Sequence, residues 1–169
     1  MGRTKGRRFA SLLVFAAATI ALAGCATSFT GGGTINSADG NAADQANFGF
    51  NYKVTDPSGS GHAQGTYHDV TAGSYWPNGG VMLKFDGLLK ASTYSWSLCA
   101  VAAGNSGVDG ELSYVSQNPA YPGSGTLHLQ GCDNGQPGSN DWIWLYVDSG
   151  PYMGYGNGGT LTGGNLKGH

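Results

Sequence analysis

From Asn47 onward the chain alternates. Phe48, Phe50, Tyr52 and Val54 are apolar, while Asn47, Gly49, Asn51 and Lys53 between them are small or polar, a period of two that predicts a half-buried strand. Asp56-Pro57-Ser58-Gly59 then supplies turn chemistry. The same signature recurs at short spacing. Gly65 to Val70 is rich in strand formers; Val81, Leu83 and Phe85 alternate with Met82, Lys84 and Asp86; Tyr94, Trp96 and Leu98 alternate with Ser95, Ser97 and Cys99. Further candidates are Glu111 to Gln117, Thr126 to Gln130, Trp142 to Asp148 and a glycine-rich run near Thr160 to Leu166. No stretch of ten or more residues in this region carries a helical stripe free of glycine. About eight short strands predict an all-β fold, an antiparallel sandwich or barrel.

The start of the chain follows a different rule. Met1 to Arg8 carry Arg3, Lys5, Arg7 and Arg8 and no acid, and Phe9 to Ala23 is apolar apart from Ser11 and Thr19. That run is about 15 residues, short of the roughly 20 needed to span a membrane as a helix, so it reads as an export signal. Two cleavage patterns overlap at its end. Ala21-Leu22-Ala23 would free a soluble protein at Gly24, whereas Leu22-Ala23-Gly24-Cys25 resembles the lipobox of bacterial lipoproteins, in which the cysteine becomes the acylated first residue. The chain has three cysteines, and plain secretion would leave one of them unpaired. Lipidation of Cys25 leaves Cys99 and Cys132 as a pair, and the lipoprotein reading is preferred for that reason. The expected organisation is a signal peptide over 1–24, a lipid-anchored tether over 25–46 and a single β-domain over 47–169. The expected location is extracytoplasmic, at a bacterial membrane.

Removing the leader changes the charge. Four of the eight bases lie in it and none of the ten acids do, so the remainder carries four lysines and no arginine, a formal net of −6. Phosphate recognition relies on arginine forks and basic patches, so nucleic acid is not an expected partner. The 31 glycines, about 18% against a usual 7%, punctuate apolar runs and read as tight turns between strands.

Four motifs recur in an order that resembles a known group. Gly31-Gly32-Gly33-x-Ile35 is followed by Phe48-Gly49-Phe50, by a loop with Asp133, Gly135, Pro137, Gly138 and Asp141, and by Gly163-Gly164-Asn165. This order resembles small β-rich modules of bacterial surface proteins, the post-choice-of-anchor-like domains. The resemblance implies an extracytoplasmic β-domain without known catalytic residues. The Cys99 and Cys132 pair is a departure from it.

Candidate chemistry is sparse. In an exported chain Cys99 and Cys132 read as a disulfide, and the absence of CxxC spacing argues against a metal or redox role. Asp133 and Asp141 offer hard oxygens to calcium, but Gly135 and Pro137 stand where an EF-hand loop would need ligands, and Asn134-Gly135 and Pro137-Gly138 are turn signals; the hairpin loop is the preferred reading. His62 and His68 fall on one strand face about 20 Å apart, too far to share a metal. No nucleophile elbow or HExxH is present, and no cofactor is called for. The most suggestive segment is Asp-Trp-Ile-Trp-Leu-Tyr-Val-Asp. Trp142, Trp144 and Tyr146 share one face of a strand and Ile143, Leu145 and Val147 the other. Either loops or a partner cover the aromatic face, or it is an exposed strip of the kind that stacks sugar rings. The expected function is a non-catalytic envelope module that binds a protein or glycan or serves structurally. The alternative is an extracytoplasmic enzyme whose strand-borne catalytic residues carry no signature.

Overall fold

The computed structural model describes residues 28–41, 43–56, 58–72, 75–92 and 106–169. The leader, Cys25, Cys99 and the strand expected at Tyr94 to Leu98 lie outside them.

The described chain is all-β. Its strands are β1 (Ser28–Asn36), β2 (Gln45–Val54), β3 (Ser60–Asp69), β4 (Val81–Ser92), β5 (Ser106–Ser116), β6 (Ser124–Asp133), β7 (Trp142–Val147), β8 (Gly156–Thr160) and β9 (Gly163–Gly168). They form one antiparallel sheet in the order β8-β7-β6-β5-β4-β3-β2-β1-β9. The topology is an up-and-down meander to which β9 adds by returning beside β1. The sheet curls into a half-barrel, and its concave face holds the core. The alternation read from sequence sets which residues point there: Phe48, Phe50 and Tyr52 of β2, Val81, Leu83 and Phe85 of β4, Leu127 and Leu129 of β6, and Ile143, Leu145 and Val147 of β7 are all buried. Full burial of each such side chain contributes about 1.5–3 kcal/mol.

The tether expectation needs correcting. Residues 28–36 are no leash: they form β1, a strand paired on both sides, with Phe29 and Ile35 buried in the core. The domain therefore includes residues well before Asn47. The glycines that hid this strand are what its position requires. A Cβ at Gly33 would run into the Gly163 carbonyl, and one at Gly164, whose φ is +94°, into the Gly32 carbonyl. β1 and β9 approach closely because neither carries side chains there.

The four motifs of the surface-module resemblance meet at this seam. Gly31, Gly32 and Gly33 pair with Phe50, Gly49 and Phe48 on one side and with Leu166, Asn165 and Gly164 on the other. The loop after β6 packs on the same strand, where Asp141 accepts the Leu166 N–H at 2.7 Å. Leu161 and Thr162 carry the chain from one sheet edge (β8) to the other (β9), and Thr162 N donates to Thr34 O at 2.8 Å. The short link ties the two edges together and limits their exposure to other chains.

Candidate functional site

In an up-and-down sheet, alternate connections fall at the same end. The connections β1–β2, β3–β4, β5–β6 and β7–β8 therefore share one mouth of the half-barrel, and they bring an unusual number of aromatic rings with them. Trp76 meets Tyr155 edge-on at 5.5 Å and 80°, and Tyr152 at 6.2 Å and 66°. Tyr152 in turn packs on Tyr114 and Tyr121. Loop positions are fixed by side chains with no strand to satisfy: Asn118 Nδ2 donates to the Asn78 and Gly80 carbonyls at 2.8 and 3.0 Å, and Trp76 Nε1 to the Pro151 carbonyl at 3.3 Å.

Beneath the mouth lies a buried polar chain. Asn157 Nδ2 donates to the Tyr67 hydroxyl at 2.7 Å, the Tyr67 and Tyr155 hydroxyls are 2.7 Å apart, and Tyr155 donates to Asp69 Oδ2 at 2.7 Å. Asp69 also accepts from Ser37 Oγ at 2.6 Å and from the Ala38 N–H at 2.9 Å. A carboxylate buried at 0% exposure is held here by donors alone, which is how such a group is tolerated in a core. Burial pushes the Tyr67 and Tyr155 phenols well above the usual tyrosine range; for Tyr155 the nearby Tyr67 and Asp69 add to it.

A cavity of about 690 Å³ opens above this network, lined by Ala38, Asp39, Ala72, Tyr75, Trp76, Met153, Gly154, Tyr155 and Gly156. Tyr75 is 83% exposed and Met153 68%. Sequence reading missed this site. Its only local signal is aromatic residues set among glycine and proline, in Tyr75-Trp76-Pro77 and Pro151-Tyr152-Met153-Gly154-Tyr155.

The predicted aromatic strand divides into two parts on the convex face. Trp142, 9% exposed, packs with Cys132 in a small apolar cluster separate from the core. Trp144 is half-buried and Tyr146 is 39% exposed; their rings stack nearly parallel, 6.1 Å apart at 8°. Both lean over glycines of β8: a Cβ at Gly158 would sit 2.7 Å from Trp144 Cδ1, and one at Gly156 3.1 Å from Tyr146 Cδ2. Rings covering glycines in a neighbouring edge strand support sheet register. Hydrogen-bonding groups flank the pair. His128 Nε2 lies 2.6 Å from Asp109 Oδ1, Gln130 Nε2 donates to the same oxygen at 3.3 Å, and the His128 ring is 6.0 Å from Trp144.

The remaining predicted positions have structural uses. Both Asp141 oxygens accept backbone N–H groups, from Asn134 at 3.0 Å and Leu166 at 2.7 Å, and burial lifts this carboxyl above its usual range. Asp133 accepts from Gly135 and Gly168, both at 2.9 Å. The two carboxylates pin β9 and their own loop. Among the described residues no group of three or more His, Cys, Asp or Glu is placed to hold a metal ion. His62 and His68 lie on one face of β3, as expected, and His62 pairs with Asp86 at 3.0 Å.

Set against protein-family models, curated proteins and solved structures, the chain matches none of them.

Proposed function

We propose that this is an exported lipoprotein, anchored through Cys25, whose β-domain is a non-catalytic binding module for a glycan of the cell envelope. The observation that carries the binding part is the parallel Trp144–Tyr146 pair on the convex face with Asp109, His128 and Gln130 beside it. Sugar rings need two things from a protein surface: a flat apolar platform for their C–H faces, and donors and acceptors at the edge for their hydroxyls. Both are present within one patch. The surface-module resemblance and the lipobox-like segment support the location, and two or more acyl chains would give stable attachment where one is marginal. Cys99 and Cys132 are proposed as its disulfide, a cross-link worth about 3–4 kcal/mol for a loop of this size.

A protein partner would use the same strip through its rings, without needing the polar edge. The enzyme alternative draws on the His128–Asp109 pair as a base with its orienting carboxylate. Incubating the full-length protein with immobilised envelope glycans decides among these. Retention competed by soluble glycan, with the glycan recovered intact, supports the proposal. Released fragments would favour hydrolysis, and no retention would remove the glycan reading. The anchor is tested by mass spectrometry of the N-terminus, where unmodified chains beginning at Gly24 would overturn it.

A further inference from the structure

The mouth cavity has aromatic walls of a different kind. Tyr75, Trp76 and Tyr155 do not lie in one plane: Tyr75 and Trp76 are 5.9 Å apart at 54°, and Trp76 and Tyr155 5.5 Å apart at 80°. Tyr75 and Trp76 form two adjoining walls, and Tyr155, buried behind Trp76, closes the floor; this is not a platform. The cavity is also poor in groups that could serve hydroxyls. The Trp76 N–H is used by Pro151 and the Tyr155 hydroxyl by Asp69 and Tyr67, and the other lining side chains are Ala, Gly and Met apart from Tyr75 and Asp39. A sugar would lose the hydrogen bonds of its hydroxyls on entering. A group with no hydrogen-bonding needs of its own would not.

Charge selects among such groups. Asp39, exposed, lines the cavity, and among the described residues lining it there is no lysine or arginine. Beneath the floor the Tyr155 hydroxyl donates to Asp69 Oδ2 at 2.7 Å, which places a second carboxylate below the aromatic walls. Faces of electron-rich rings attract cations, most strongly cations without a tight hydration shell. We infer that the mouth cavity is a binding site for an alkylated ammonium group, of the trimethylammonium type, with Tyr75 and Trp76 as its aromatic walls, Tyr155, only 2% exposed, in the floor behind Trp76, and Asp39 as the counter-charge. The site meets the Trp144–Tyr146 strip only through Gly156, whose far side supports Tyr146, and does not depend on glycan binding there.

The test is titration of the full-length protein with tetramethylammonium, choline, phosphocholine and the neutral carbon isostere of choline. Saturable binding of the cations is expected, with the isostere about tenfold or more weaker. Choline binding alone points to a free cation, and binding of both choline and phosphocholine to one displayed on a phosphodiester. Tyr75→Ala alters an exposed side chain, and Asp39→Asn keeps an oxygen for the Asn41 N–H that Asp39 Oδ1 accepts at 2.8 Å, so both variants keep the fold. Tyr75→Ala should weaken binding about tenfold and Asp39→Asn several-fold, the latter difference shrinking at high salt. Tyr146→Ala should leave it unchanged. Absence of saturable cation binding, equal affinity for the isostere, competition by a monosaccharide, or loss in Tyr146→Ala without loss in Tyr75→Ala overturns the inference.

Discussion

The convex strip and the mouth cavity are built from the same residue types, yet they present them in opposite ways. On β7 the strand repeat puts Trp144 and Tyr146 side by side on one face, so their rings stack within 8° of parallel. At the mouth Trp76 and Tyr155 arrive on separate loops and meet at 80°. The first arrangement has a carboxylate, an imidazole and an amide at its edge, linked to one another through Asp109 Oδ1; the second has its polar atoms engaged beneath it, away from the cavity. Aromatic content alone therefore says little about ligand. The angle between rings and the state of neighbouring polar groups decide it.

The largest expected effect breaks the comparison from the mouth side. Asp69→Ala leaves Ser37 Oγ, the Ala38 N–H and the Tyr155 hydroxyl without their acceptor, and should cost roughly 3 kcal/mol or more in urea unfolding. Cation binding should fall with it, because Tyr155 and the loop carrying Ala38 lose their anchor. A loss below about 1 kcal/mol would mean that water replaces the carboxylate and that the network does not hold the mouth.

Alkali acts on the same network. The Tyr67 and Tyr155 phenols ionise later in the folded chain than in the unfolded one, where the value is about 10. Their folded values are raised, so the stability they contribute is complete below pH 10 and is lost as pH rises through the folded values. Each phenol should remove up to about 1.4 kcal/mol per pH unit above 10. Absorbance titration of the phenolates, run beside circular dichroism, should show a late fraction ionising together with unfolding. Smooth ionisation of every tyrosine near pH 10 in a folded protein would contradict the buried placement.

A smaller effect sharpens the strip. Gly158→Ala puts a methyl 2.7 Å from Trp144 Cδ1 and 2.8 Å from the Ile143 carbonyl, so the ring must tilt and β8 must shift from β7; it should cost about 1–3 kcal/mol while changing the near-ultraviolet dichroism of the stacked pair. An unchanged spectrum with full stability would show that the ring does not rest on β8.

How much of this was legible follows from where each part sits. The strands with side chains that alternate, such as Val81-Leu83-Phe85 and Trp142 to Val147, are read directly, because burial of one sheet face imposes the period. β1 was not, since Gly31-Gly32-Gly33 carries no alternation and looks like a tether; only its packing between β2 and β9 explains those glycines. The shared face of Trp142, Trp144 and Tyr146 is legible from spacing, with its coverage left open; that Trp142 is covered beside Cys132 while Tyr146 is not depends on which neighbours reach each end of the strand. Of the mouth cavity the sequence shows only aromatic residues set among glycine and proline, and no single segment reveals the site. Asp39, Trp76 and Tyr155 come from three connections, and only the meander topology assembles them.

The central claim is that the convex strip binds and does not merely cover glycines, and Tyr146→Ala tests it most directly. Stability and affinity for the retained glycan are measured on the same preparation, with Tyr75→Ala as the control from the other site. The expected result is a stability loss of no more than about 1.5 kcal/mol, since the ring is 39% exposed, together with an affinity loss of about thirtyfold or more that Tyr75→Ala does not share. Full glycan affinity in Tyr146→Ala, or a collapse of stability that accounts for the lost binding, would contradict it and return both rings to the support of β8.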